Sequence, residues 1–431
     1  MTSRTNPSLA LLLLLGTTAI AACSVSASVS DGVAVTASTG CDLESSVSRA
    51  DCDALHTMAL PAALPAAVGN AKADDYDAAS LGFKVFYDAR FSSNTNVRCA
   101  TCHLPENSFD DAKAVSTGLA TITRNSPTVL NASRMSVVFW DGRADSVWSQ
   151  ALFAFENAKE MGFSRLAIAH RIAQSYADMY TTAFGPLPAL DDATRFPATG
   201  KPGDAAWEAM APADQDAINR VAANVGKSLE AYERKAAAGP SAFDRYVAGD
   251  RTAMTAPQTR GLAAFTRAGC LDCHSGPMFS DMGFHNLGVP SDDAAAPDRG
   301  RADGIPILRG NIFNAAGAYA DPPAGAPSPV APPAMPTVTA ADLGAFRTPT
   351  LRNVTLTAPY GHNGRFASLV DVITFHVRGG GAGGAGFVGT VDAKITPRAD
   401  VTDADVADIA EFMTALVGDG PGHPWNDWPQ K

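Results

Sequence analysis

Apolar residues recur along this chain at helical intervals and hardly anywhere at the two-residue alternation of a half-buried strand. Ile218, Val221, Ala222, Val225, Leu229 and Tyr232 form one stripe with a period of about 3.6 residues, which predicts a long amphipathic helix. Leu81, Val85 and Phe86 mark a second helix, and Gly261, Leu262 and Phe265 a third. Near the far end, Thr402 and Asp405 form a capping box ahead of Val406, Ile409, Met413 and Leu416, which share one face. The chain is therefore expected to be mostly α. The second and third helices each lead into the same pattern, Cys99-Ala-Thr-Cys102-His103 and Cys270-Leu-Asp-Cys273-His274.

Two stretches interrupt the helical pattern. Residues 321–335 are Pro-rich and unfit for a helix interior, so they read as a surface insertion. Gly379 to Gly386 read as a flexible loop. At the start of the chain, Arg4, the apolar run Leu9 to Leu15 and the small residues after it have the layout of an export signal. Ile20-Ala21-Ala22-Cys23 has the form of a bacterial lipobox, which predicts removal of residues 1–22 and acylation of Cys23. By resemblance to such lipoproteins, Ser24 favours the outer membrane, facing the periplasm. A plain cleaved signal peptide is the alternative. No later stretch is long enough to span a bilayer, so any membrane association is by the lipid alone. The expected organisation is a leader (1–22), a flexible tether (23–76), an N-terminal domain (77–245) and a C-terminal domain (246–431) that carries the insertion.

The formal charge of −11 argues against a nucleic-acid partner. It would suit a basic redox protein, although a solvated acidic surface is the more ordinary origin of such a balance.

The two cysteine patterns carry the chemistry. Cys-x-x-Cys-His is the covalent attachment site of c-type haem, with two thioethers and the histidine as proximal iron ligand. A single copy would equally suit a zinc half-site or a redox dithiol. Two copies, in separate halves of an exported chain, select haem. Four cysteines then hold haem and Cys23 holds lipid, leaving Cys41 and Cys52 to pair as a disulfide in an oxidising compartment. A helix before each motif and a closing helix behind predict two cytochrome c-like domains, packed together with the haems near their interface.

Four ordered blocks, within residues 77 to 417, carry a resemblance. They are the Cys99 motif, Arg124-Asn125-Ser126-Pro127-Thr128 with Phe139-Trp140-Asp141-Gly142-Arg143-Ala144, the Cys270 motif, and Phe346-Arg347-Thr348-Pro349-Thr350-Leu351-Arg352-Asn353 with Thr357-Ala358-Pro359-Tyr360-Gly361-His362-Asn363-Gly364. In these the chain resembles the bacterial diheme cytochrome c peroxidases and their relatives, the diheme enzymes that mature methylamine dehydrogenase. The resemblance implies His103 and His274 as proximal ligands and Trp140 as the tryptophan that couples the two haems. It implies a calcium ion held by Asn125 with the carbonyls of Thr357 and Pro359, and His362 beside a haem propionate. Gln150 and Glu160 match the residues lining the open face of the first haem, with Glu160 as acid–base group; Ala154 stands where the family has proline, which loosens that pocket.

Two departures bear on mechanism. Peroxidases that need reductive activation carry a histidine sixteen residues after the first proximal histidine; here Leu119 stands there. The first haem is thus expected to be open. The family places Met or Tyr as distal ligand of the other haem fourteen residues after the position of His362, and here that position is His376. Met282 and His285 are the fallback ligands. His56, His170 and His423 match nothing and are expected to be structural or exposed. The implied function is reduction of hydrogen peroxide with electrons from a small c-type cytochrome or cupredoxin. An oxidase that uses peroxide to modify Trp or Tyr of a partner protein is the second reading, and a pure diheme electron carrier the third. Family members are often dimers, so a homodimer is expected.

Overall fold

A computed structural model describes residues 41–322, 335–381, 386–421 and 425. The leader, Cys23, most of the 321–335 insertion, part of the glycine loop and His423 lie outside the described residues. The described chain is mostly helical, and its only named strands are two short ones, Phe284–His285 paired antiparallel with Phe346–Arg347. No described helix is long and apolar enough to cross a membrane.

Two hydrophobic cores organise the fold, one around each haem motif. In the first, Tyr76–Tyr87, capped by the Asp75 side chain, packs against the long helix Pro212–Lys235. The sequence stripe Ile218 to Tyr232 is the buried face of that helix. Pro212 at its first turn costs no backbone hydrogen bond, and Arg234 and Lys235 at its last turn suit the helix dipole. Trp148 and Phe155 from the helix Val147–Glu156 fill the space between. In the second core, Ala256–Arg267 packs on the closing helix Asp403–Thr414, and Phe243, Phe265, Phe279 and Phe412 cluster edge to face.

One glycine in each half makes these crossings possible. A Cβ on Gly82 would lie 1.9 Å from the Ser228 carbonyl oxygen, and one on Gly261 would lie 1.9 Å from that of Asp408. Each haem-leading helix therefore meets its partner backbone to backbone. Gly82-Phe83-x-x-Phe86 and Gly261-Leu262-x-x-Phe265 are the same device used twice.

From residue 41 onward, the segment expected to be a flexible tether is folded. Cys41 and Cys52 form a disulfide, and Arg49–His56 is a helix. Leu43, Val47, Leu55 and Met58 are buried in the second core. Leu60 N donates to Asp244, and the Arg352 guanidinium, itself paired with Asp244, donates to the Met58 carbonyl. The apolar residues here have no long run of their own because their partners lie far downstream. The helix Ala242–Val247 spans the expected boundary at 245/246, and its Phe243 and Tyr246 belong to the second core.

Candidate active site

A cavity of about 390 Å³ reaches both cysteine motifs, and its wall holds Cys102, His103, Cys270, Cys273, His274 and His376 together with Asn125, Trp140, Gln150, Glu160, Thr357, Pro359 and His362; Cys99, Leu119 and Met282 lie outside it. Cys99 lines a smaller adjoining space with Cys102, His103, Gln150, Ala154 and Glu160.

Each motif ends in a locked imidazole. His103 Nδ1 lies 3.3 Å from the carbonyl oxygen of Phe109, and His274 Nδ1 lies 2.9 Å from that of Phe279. Nδ1–H donates to the carbonyl, which leaves Nε2 as the lone-pair nitrogen for a metal. Both phenylalanines have positive φ (59° and 50°), a conformation that costs a non-glycine residue about 1–3 kcal/mol and aims the carbonyl at the ring. Burial pushes His103 below its ordinary range and His274 down to about 4, so both are neutral and ready to ligate.

At the first motif, Gln150 and Ala154 lie on Val147–Glu156, and Glu160 follows in the next turn. The Asn157 amide donates to Glu160 Oε1 at 2.6 Å. Burial raises the Glu160 carboxyl, against the opposing pull of Arg143 and of the Asn157 hydrogen bond. Leu119 belongs to a stretch tied to this turn, its N–H donating to Glu160 O at 3.0 Å, and its side chain packs against the first core.

At the second motif, His376 sits on Leu369–Val377 and Nδ1 donates to the Val372 carbonyl at 2.7 Å, again leaving Nε2 for the cavity. It is close enough to His274 to depress that histidine's pKa. The fallback ligands are otherwise engaged. His285 lies between Asp392 (2.6 Å) and Asp281 (2.9 Å) with both ring nitrogens used. Met282 is outside the cavity wall, its sulfur accepting from Ser280.

Between the motifs, Trp140 Nε1 donates to Asn125 O (2.9 Å) and Asn125 N donates to His362 O (2.8 Å). The His362 ring stacks on Phe346 at 3.6 Å and is pushed down to about 4 by burial. Asn125, Thr357 and Pro359 share this wall, and the Asn125 amide nitrogen donates to Lys113 O, leaving its oxygen as the candidate ligand atom. His56 pairs with Asp42 and His170 with the carbonyls of Phe196 and Pro197, away from the cavity.

Two residues of the cavity wall were given no role by sequence reasoning. Arg347 is buried in the cavity wall, and among the described residues its guanidinium donates to the carbonyls of Phe139 and Thr348. Burial without a carboxylate drops it to about 10. Glu233 lines the first-motif end of the cavity and is 5 % exposed. Burial, and secondarily Glu230, pushes it to about 8. A signal existed: Glu233 is four residues after Leu229, on the apolar face of its helix.

These residues fit two covalently held haems. Each end of the cavity offers two thiols and a neutral imidazole with a free Nε2, and a buried guanidinium without an anion calls for propionates.

Comparison with known proteins agrees. A sequence profile described as di-haem cytochrome c peroxidase matches residues 76–252. The cytochrome-c peroxidase IdrP1 of Pseudomonas sp. (strain SCT) is 30% identical over 355 residues, 78% of this chain and 80% of that one. The methylamine utilization protein MauG of Methylorubrum extorquens is 30% identical over 306 residues, 70% and 69% of the two chains. Cytochrome c551 peroxidase of Pseudomonas aeruginosa is 32% identical over 346 residues, 79% of each. Among solved structures, a MauG-like protein associated with microbial copper homeostasis superposes with a TM-score of 0.59 at 26% identity, covering 86% of this chain and 98% of that one. The diheme peroxidase BthA of Burkholderia thailandensis shares the fold (TM-score 0.58, 21% identity, 82% and 90% covered).

Proposed function

The chain belongs to the di-haem cytochrome c peroxidase family, and from that premise we propose a division of labour between its two haem sites. The protein is a haem-dependent oxidoreductase that reduces hydrogen peroxide to water, taking two electrons and two protons per molecule. The haems supply the two-electron chemistry and hold the oxidising equivalents. His103 and His274 are the proximal ligands. His376 closes the second site; Gln150, Ala154 and Glu160 line the first and leave it open to peroxide. Glu160 accepts the proton from one peroxide oxygen and returns it to the other, while Asn157 holds the carboxylate oxygen it does not use. Gln150 orients the bound peroxide. Trp140, tied to Asn125 and through it to His362, couples the two sites. Arg347 binds propionate. Asn125 with the carbonyls of Thr357 and Pro359 holds calcium, a hard cation suited to oxygen ligands.

The observation that carries this reading is the asymmetry of the cavity: a second free imidazole nitrogen at the His274 end, and a buried carboxyl without a second imidazole among the lining residues at the His103 end. Electron paramagnetic resonance of the as-isolated ferric protein tests it. One high-spin and one low-spin signal are expected, with reaction toward peroxide before any reduction; two low-spin signals and no reaction would leave only an electron carrier.

Leu119, in place of an activating histidine, favours a second reading, in which the electrons come from Trp or Tyr of a partner protein. Fast turnover with a small reduced cytochrome or cupredoxin supports the first reading. Slow turnover with a covalently altered partner supports the second. From the leader and Cys23 we infer a periplasmic enzyme on an outer-membrane lipid anchor, associated as a homodimer.

A further inference from the structure

We propose that Tyr76 and Trp425 form a second oxidation site at the protein surface, where phenols too bulky for the haem cavity surrender electrons through a chain of aromatic side chains; the proposal rests on the peroxidase reading above. The chain begins at the proximal histidine. The rings of His103 and Phe86 are 6.5 Å apart, and Phe86 lies 5.1 Å from Tyr232 and 5.2 Å from Tyr87. The two phenol oxygens are 3.1 Å apart, and the Tyr232 hydroxyl donates to the Trp425 carbonyl at 3.0 Å. Trp425 stands 6.4 Å from the Tyr232 ring and 5.7 Å from Tyr76, edge to face. Tyr76 is 66% exposed.

Packing alone accounts for buried Phe86, Tyr87 and Tyr232. It does not account for three oxidisable rings, Tyr232, Trp425 and Tyr76, running from the phenylalanine beside the haem ligand to solvent and ending on a large aromatic left two-thirds exposed. Every step is one ring contact within the ordinary range of aromatic packing. Each hop moves one electron inward, restores the ring that receives it and leaves the donor ring oxidised until an electron arrives from outside; the last electron leaves Tyr232 across Phe86, which bridges the gap and is not itself oxidised. The Tyr87 phenol proton has the Tyr232 oxygen beside it, and that of Tyr232 has the Trp425 carbonyl. At the surface, two phenol O–H bonds break for each peroxide O–O bond: two phenols and one hydrogen peroxide give two phenoxyl radicals and two waters.

The test is radical mapping on the holoprotein, using peroxide, a nitroso spin trap and peptide mass analysis. A peroxide-dependent adduct is expected on Tyr76 or Trp425. Trp425→Phe should retain haem absorbance and lose the Tyr76 adduct, because phenylalanine fills the space and is not oxidised. If that variant does not hold haem, Tyr232→Phe breaks the same path and should lose the adduct equally. An adduct on Tyr76 that survives the break shows labelling from solution and overturns the proposal. So does a wild-type protein that consumes peroxide and carries no adduct on either residue. A wild-type protein that does not consume peroxide overturns the peroxidase reading with it.

Discussion

Glu233→Gln should make the holoprotein more stable at pH 8 relative to the parent than it is at pH 5. The native carboxyl keeps its proton up to about 8, whereas an unhindered glutamate releases it near 4.5. Between those values the unfolded chain binds fewer protons than the native protein, so stability falls as pH rises, by about 1.4 kcal/mol per pH unit for this one group. Above 8 both states are ionised and the slope from this group ends. From pH 5 to pH 8 the parent therefore loses about 4 kcal/mol that the variant keeps, a ceiling that entry of water would lower. Glu230, itself raised to about 7 mainly by burial, is present in both proteins and largely cancels in the comparison. Guanidinium unfolding followed by far-UV circular dichroism at the two pH values measures the difference, with the covalent haems retained in both states. Parallel pH dependence in the two proteins would refute a buried neutral acid at this position.

Glu160→Gln should slow the peroxide step on the order of 10²-fold or more in stopped-flow traces, and unchanged rates would remove its acid–base role. His376→Ala should convert the low-spin signal to high-spin; persistence of the low-spin form would mean that another residue ligates. Gly261→Val, which drives a side chain into the Asp408 carbonyl, should cost at least about 1–3 kcal/mol in denaturant unfolding. An unchanged midpoint would show that the two helices do not need their close approach.

The features legible in the sequence were those written in consecutive residues or fixed offsets. The cysteine motifs need only local order, and His376 came from its register with His362. Helical stripes gave the four helices of the two principal pairs because one buried face repeats every turn, but not which helix packs on which. Features requiring residues from distant segments were not legible. The two salt bridges that occupy His285 come from Asp281 and Asp392, and nothing near His285 announces the second. Phe109 and Phe279 act through a carbonyl, whose direction depends on φ rather than on side-chain type. Glu233 was hidden by an expectation that charge marks a solvated face. The folding of residues 41–58 depends on Phe243, Tyr246 and Arg352, all far along the chain.

The paired glycine crossings also set an order of assembly. Ser228 meets Gly82, and Asp408 meets Gly261, in each case across roughly 150 residues of intervening chain, so neither core closes until a distant helix arrives. Until then each cysteine pair stays accessible to the machinery that attaches its cofactor. The first half has both of its crossing helices by residue 235, and Phe313 and Tyr319 fill out its core from further along the chain. Each motif is thus left open until its own late-arriving helix docks.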